Sequence, residues 1–205
     1  MPRTIDFYFD FISPFSYLAH HELPDLAARH GYTLDYHAAD LAELKRLAAN
    51  TGPRITAMPL KLRYSRIDQQ RWADRYGIPI KPPTGSHDSS WLARGTFYAA
   101  DRGRARDYVS NVWSKMRRDG RDIAEEAFRR DVARDLGWDA DEFVAFTQSE
   151  AAQSRYAAST KAAHARGVFG VPTMMIGEEM WWGNDRLDFL EEFLDAEARP
   201  AGARA

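Results

Sequence analysis

Strand-like alternation is confined to the two ends of this 205-residue chain, and helical periodicity fills everything between them. Near the N-terminus Ile5, Phe7, Phe9 and Phe11 alternate with Asp6, Tyr8 and Asp10, which predicts a strand over about residues 4–9 with two opposed faces. After Ser13-Pro14 the period lengthens. Phe15, Leu18, Ala19, Leu23, Leu26 and Ala27 then share one helical face, Gly31 suits a C-terminal cap, and Pro24 is expected to kink or split the helix. Tyr32 to His37 alternates again as a second strand. A strand, a helix and a strand in this order predict a parallel pair joined by a right-handed crossover.

From Asp40 to about Ala158 the reading is helical. Asp40 and Glu43 have capping-box spacing, Ser89-Ser90 stand ahead of a helix starting near Trp91, and Gly137 follows one carrying Phe128, Val132 and Leu136. Runs such as Arg102 to Asp107 mix both signs, as solvated helix faces do. Strand character returns at Val171 to Ile176, with a turn at Gly177-Glu178-Glu179 and an antiparallel partner at Met180-Trp181-Trp182. Asn184 is placed to cap a last helix holding Leu187, Phe189, Leu190 and Phe193. This is the element order of an α/β, thioredoxin-like fold split by an inserted all-helical domain. Residues 1–40 and 158–198 would form the thioredoxin-like domain, 41–157 the insertion and 199–205 a disordered tail.

Composition removes several kinds of chemistry. The chain has no cysteine, so it can form no disulfide, offers no thiol nucleophile, and cannot itself be a disulfide oxidoreductase. Hydrophobic residues at 44% supply a core without such staples. Lys and Arg number 28 against 30 Asp and Glu, a net charge of −2, which gives no basic excess for nucleic acid. No stretch has the ~20 apolar residues of a membrane helix, and the first residues read as a strand, not a signal peptide. A soluble cytoplasmic protein is the expectation. No metal site is expected either. His20 and His21 are adjacent, cannot share one helix face, and read as surface residues. Glu125-Glu126 reads as solvated helix charge, and no phosphate-binding or dinucleotide glycine loop is present.

Two stretches carry chemistry. Ser13 precedes a proline suited to the first turn of a helix, where backbone N–H groups and the helix dipole favour negative charge. Its hydroxyl can stabilise a bound anion, a thiolate included, or serve only as an N-cap. Val171-Pro172 opens a strand, where a cis bond would expose the backbone of Val171 to an extended ligand, and where an ordinary edge-strand proline fits as well.

Ser13-Pro14-Phe15-Ser16 occupies the place of the Cys-Pro-x-Cys motif of thioredoxin-like oxidoreductases, with both sulfurs replaced by hydroxyls. Together with Asp6 to Ala19, Val168 to Thr173 and Met180 to Leu187, it makes the chain resemble the DsbA-like branch that contains glutathione transferase kappa and 2-hydroxychromene-2-carboxylate isomerase. The last of these strings is closer to the isomerase. The resemblance implies glutathione as cofactor, with Ser13 at its sulfur, Val171 and Pro172 beside its cysteinyl part, and Trp182, Gly183, Asn184 and Asp185 at its γ-glutamyl end. It places Lys61 near the glycyl carboxylate, and Leu44, Lys45 and Asn50 in the pocket of a small aromatic carboxylate substrate. The loop Lys81 to His87 departs from the family pattern.

The implied reaction is a cis–trans isomerisation. A glutathione thiolate adds to the conjugated alkene of the ring-opened chromene carboxylate, the bond rotates, and elimination gives trans-o-hydroxybenzylidenepyruvate, as in naphthalene-type degradation. A homodimer is also implied. Two other readings stand beside this one: a kappa-type transferase conjugating electrophiles, and a catalytically silent thioredoxin-like binding module.

Overall fold

A computed structural model describes residues 3–82, 84–85 and 88–198. The expected tail at 199–205 and positions 83, 86 and 87 of the 81–87 loop lie outside the described residues. Strand β1 (Arg3–Phe9), helix α1 (Pro14–Arg29) and strand β2 (Tyr32–Ala38) are followed by seven helices. These are α2 (Leu41–Leu47), α3 (Pro59–Tyr76), α4 (Ser90–Ala100), α5 (Ala105–Trp113), α6 (Glu126–Asp135), α7 (Ala140–Gln148) and α8 (Glu150–Ala165). The hairpin β3 (Thr173–Ile176) and β4 (Glu179–Trp182) and the last helix, α9 (Leu187–Ala198), complete the order. The sheet runs β2-β1-β3-β4. β1 pairs parallel to β2 from Arg3 opposite Tyr32 to Phe9 opposite Ala38, and β3 is antiparallel to both β1 and β4.

Alternation sets the faces of β1, but both faces are covered. Ile5, Phe7 and Phe9 are fully buried on one side, and Tyr8 on the other packs in a second cluster with Ala163, Val168 and Met175. The main core crosses from the sheet into the helices: Phe9 and Phe11 lie 5.3 and 5.2 Å from the Trp113 ring, and Phe11 meets Tyr108 edge-on at 6.0 Å. Burying each of these rings contributes roughly 1.5–3 kcal/mol, so sheet and helices stabilise one another. α8 reinforces the junction. Its Ser159 hydroxyl donates to the Ala38 carbonyl, its Thr160 hydroxyl accepts from the Asp40 N–H, and the helix runs unbroken across position 157/158.

Several local expectations are corrected. α1 is not split at Pro24, which is buried against the core, so packing outweighs the lost backbone hydrogen bond. His20 is not a surface residue. It shares the buried face of Ser16, Leu23 and Ala27, its ring lies 4.9 Å from that of Trp113, and Nε2 meets the Tyr36 hydroxyl at 3.1 Å. Asp40 caps α2 through the Ala42 and Glu43 amides, but Glu43 turns outward to Arg46 instead of completing the box. Asn184 does not cap α9. It begins a 3-10 turn, Asn184–Arg186, that displaces the helix start to Leu187 and leaves Phe189 on the solvent face at 55% exposure. Among the described residues, no helix is long and apolar enough to cross a membrane.

Candidate active site

β1 ends at Phe9, and a tight loop from Asp10 to Ser13 delivers the chain into α1. Ser13 is extended at φ −74°, ψ 114°, and its hydroxyl oxygen accepts from the Ser16 N–H at 3.2 Å. The N-cap role is therefore real. It uses the oxygen as an acceptor, so the hydroxyl proton is left to donate to a neighbouring anion. The loop is shaped from within by the buried Asp10 carboxylate, which accepts from the Ile12 N–H, the Ser89 hydroxyl and the Leu41 N–H. Burial pushes its pKa up and these hydrogen bonds pull against that shift. Ser89, expected as a helix cap, spends its hydroxyl here, and Asp88 takes the Ser90 amide in its place.

A cleft of about 280 Å³ opens beside α1, and six of the expected residues line it: Val171, Pro172, Trp182, Gly183, Asn184 and Asp185. The register of the hairpin makes the site. Thr173 pairs with Trp182, and the Gly183 N–H donates to the Pro172 carbonyl at 2.9 Å, so residues about ten positions apart are locked side by side. The Val171-Pro172 peptide is cis. Gly183 adopts φ 109°, a conformation that favours glycine, and a Cβ there would push the Asp185 carboxylate aside. Trp181 turns inward onto Phe193, while Trp182 is 53% exposed and packs edge-on against Phe169.

Four further residues line the cleft: Phe15, Asp68, Trp72 and Arg186. Asp68 and Trp72 are one turn apart on α3, a spacing that puts them on one face, but nothing local says that this face meets the hairpin. Arg186 pairs with Asp185 at 2.9 Å. Asn184 is buried; its side-chain Nδ2 makes no hydrogen bond of full geometry, and the Tyr76 hydroxyl is the polar group that interacts with the amide. An orphaned donor in a cleft with two carboxylates and one guanidinium suits an extended ligand carrying an amino-acid headgroup.

The other expected residues fall elsewhere. Ser13 is only 4% exposed and stands at the head of α1, not among the cleft-lining residues. Lys61 lies on the exposed side of α3, and Lys45 and Asn50 are exposed on and just after α2. Leu44 stands apart from them. It is fully buried in the second core cluster with Tyr8 and Ala163 and does not line the cleft. Asp6, Asp35 and His37 bring three potential ligand atoms within 4.8 Å of one another, and these carboxylates already pair with His37 and, at Asp6, with Arg166.

A family model described as the DSBA-like thioredoxin domain matches residues 4–195. The chain is 45% identical over 187 residues to the 2-hydroxychromene-2-carboxylate isomerase of Pseudomonas putida, covering 91% of this chain and 92% of the relative. It is 41% identical over 194 residues to that of Sphingobium xenophagum, covering 95% and 99%. A solved structure of 2-hydroxychromene-2-carboxylate isomerase superposes with a TM-score of 0.91 at 43% identity and 96% coverage of both chains. More distant are glutathione S-transferase kappa 2 of Caenorhabditis elegans, 25% identical over 207 residues (94% of this chain, 92% of the relative), and the cytosolic disulfide reductase DsbM of Pseudomonas aeruginosa with GSH. The latter shares the fold at a TM-score of 0.66 and 20% identity, over 96% of this chain and all of that one.

Proposed function

The chain belongs to the DSBA-like thioredoxin family and, within it, to the 2-hydroxychromene-2-carboxylate isomerases, and from that premise we propose a glutathione-dependent cis–trans isomerase of chromene-carboxylate-type aromatic acids. Its product would be trans-o-hydroxybenzylidenepyruvate, a step in the cytoplasmic catabolism of naphthalene-type hydrocarbons. The observation that carries the cofactor is the hairpin cleft, whose orphaned Asn184 amide and paired charges fit the γ-glutamyl end of the tripeptide. Asp185 and Asp68 oppose its α-amino group. Arg186 and the N–H groups of the 3-10 turn face its carboxylate. Val171 offers its backbone to the cysteinyl unit, and Lys61 a cation to the glycyl carboxylate. Lys45 and Asn50 are the polar groups offered to the aromatic acid.

Bound glutathione supplies the nucleophile that a cysteine-free chain lacks, a thiolate able to add reversibly to a conjugated alkene. The protein's part is to hold that sulfur ionised. Ser13 donates its hydroxyl proton to it, and the start of α1 adds the positive end of the helix dipole. The exposed apolar stripe Leu60, Tyr64 and Ile67 on α3 supports the homodimer.

The test is the absorbance of the ring-opened substrate followed with and without glutathione. Conversion that requires the thiol sustains the reading, and equal conversion without it overturns the cofactor. The kappa relative favours a second reading, a transferase, which accumulation of a stable glutathione adduct with simple electrophiles would reveal.

A further inference from the structure

Helix α5 runs directly into a single π-helical turn, Ser114–Arg118, and that turn grips the loop leading to Ser13. Trp113 Nε1 donates to the Phe11 carbonyl at 3.3 Å, and Arg117 Nη2 donates to the Ile12 carbonyl at 2.5 Å. Two consecutive carbonyls, the second belonging to the peptide that joins Ile12 to Ser13, are thus fixed from one place in the helical insertion. Turns of this kind recur at functional positions.

Arg117 is an unusual group to find there. It is 2% exposed, its Nε is buried without a partner, and among the described residues no carboxylate lies within ion-pairing distance. The titratable groups that face it are Asp10 on the loop and Tyr17 on α1; its neighbour Arg118 is exposed and paired with Asp119. Burial lowers its pKa to about 10, which still leaves the guanidinium charged at neutral pH. A buried cation whose facing carboxylate, Asp10, lies beyond ion-pairing distance costs stability, and holding one carbonyl in place does not require a charge.

We propose that Arg117 is a positioning residue whose buried positive charge, set behind the Ile12–Ser13 peptide, biases the Ser13 site toward the ionised thiol of bound glutathione. In this low-dielectric setting a charge acts over several ångströms with little screening. Its bond to the Ile12 carbonyl also polarises that peptide, whose N–H, on Ser13, donates to the Asp10 carbonyl and so tightens the loop. The inference rests on the glutathione reading above.

The experiment titrates the thiolate absorbance of protein-bound glutathione, between ~230 and ~300 nm, against pH in the wild type and in Arg117→Lys, Arg117→Met and Arg117→Gln. Calorimetry of glutathione binding runs alongside. Lysine keeps the charge, methionine keeps the bulk, and glutamine keeps a donor for Ile12 while losing the charge. The expected result is about tenfold less thiolate at neutral pH in the Met and Gln variants, with affinity little changed and most of the ionisation kept in the Lys variant. Should the Met variant fail to fold, the Gln variant decides. A wild-type thiol pKa in Arg117→Gln, with glutathione bound, overturns the proposal alone. Wild-type protein that binds no glutathione overturns the reading beneath it and this proposal with it.

Discussion

Ser13 is flanked by two regions of opposite construction. On one side the hairpin and its turn, Val171 to Arg186, supply most of the lining of a cleft that α1 and α3 complete, with a cis peptide, backbone hydrogen bonds and several exposed side chains. On the other side Trp113 and Arg117 reach the loop across more than a hundred positions of sequence and are buried almost completely. The hairpin flank is open and polar, as a binding surface must be. The helical flank is closed and aromatic apart from one unpaired cation, as a support must be. On the proposed reading the difference separates recognition from preorganisation: one flank would meet the ligand, the other would fix the groups that act on it.

Removing the Trp113 ring tests that division most severely. Trp113→Ala should cost about 3–5 kcal/mol of stability by chemical denaturation, because the ring is fully buried against Phe9, Phe11 and His20. The same change at half-exposed Trp182 should leave stability within about 1 kcal/mol and weaken glutathione binding instead. Equal destabilisation at both sites would erase the contrast. Next in size is Ser13→Ala. It should lower kcat about 10²–10³-fold if the hydroxyl supports the thiolate, while the lost N-cap costs only ~1 kcal/mol of stability. A kcat within threefold of wild type would reduce Ser13 to its capping role.

His20 gives the helical flank a pH signature. Burial lowers its pKa to about 3, so the folded protein holds it neutral, whereas the unfolded chain protonates it near 6.5. Below pH 6.5 the unfolded state therefore binds more protons than the folded state. Its contribution is complete above that pH and drains away as pH falls toward about 3, amounting at most to a few kcal/mol. Denaturant midpoints measured from pH 7 to pH 4 should drop more steeply in the wild type than in His20→Phe. Parallel slopes would mean that the ring takes up its proton without unfolding.

The same contrast governs which parts of the molecule are legible in its sequence. The start of α1 at Ser13-Pro14, the parallel pair and the hairpin are written in local signals: a change of period, a proline at a first turn, a glycine turn between two short apolar runs. The buried face of α1 is legible in Leu18, Leu23 and Leu26, yet it also contains His20, and a pattern built on apolar residues passes over a histidine that aromatic packing keeps neutral. Leu44 shows the converse. A short helix of seven residues has too few turns to reveal which face is inward, so the burial of its leucine is not legible in spacing. Asp68, Trp72 and Arg117 carry no local mark at all. Their roles arise from where distant helices come to rest, a tertiary fact that spacing within a helix cannot encode.

The finest distinction lies inside the cleft itself. The Nδ2 of Asn184 is buried with no hydrogen bond of full geometry, a state that costs stability unless a ligand acceptor completes it. Replacing it by a leucine of similar size removes the unmet donor. Asn184→Leu should therefore leave the free protein's stability within about 1 kcal/mol of wild type, or slightly above it, while glutathione affinity falls about tenfold in calorimetry. A residue placed only for the fold would behave the other way, losing stability and keeping affinity. If the variant binds glutathione as tightly as the wild type, the amide belongs to the scaffold, and the division between a recognising hairpin and a supporting helical flank no longer runs along the cleft wall.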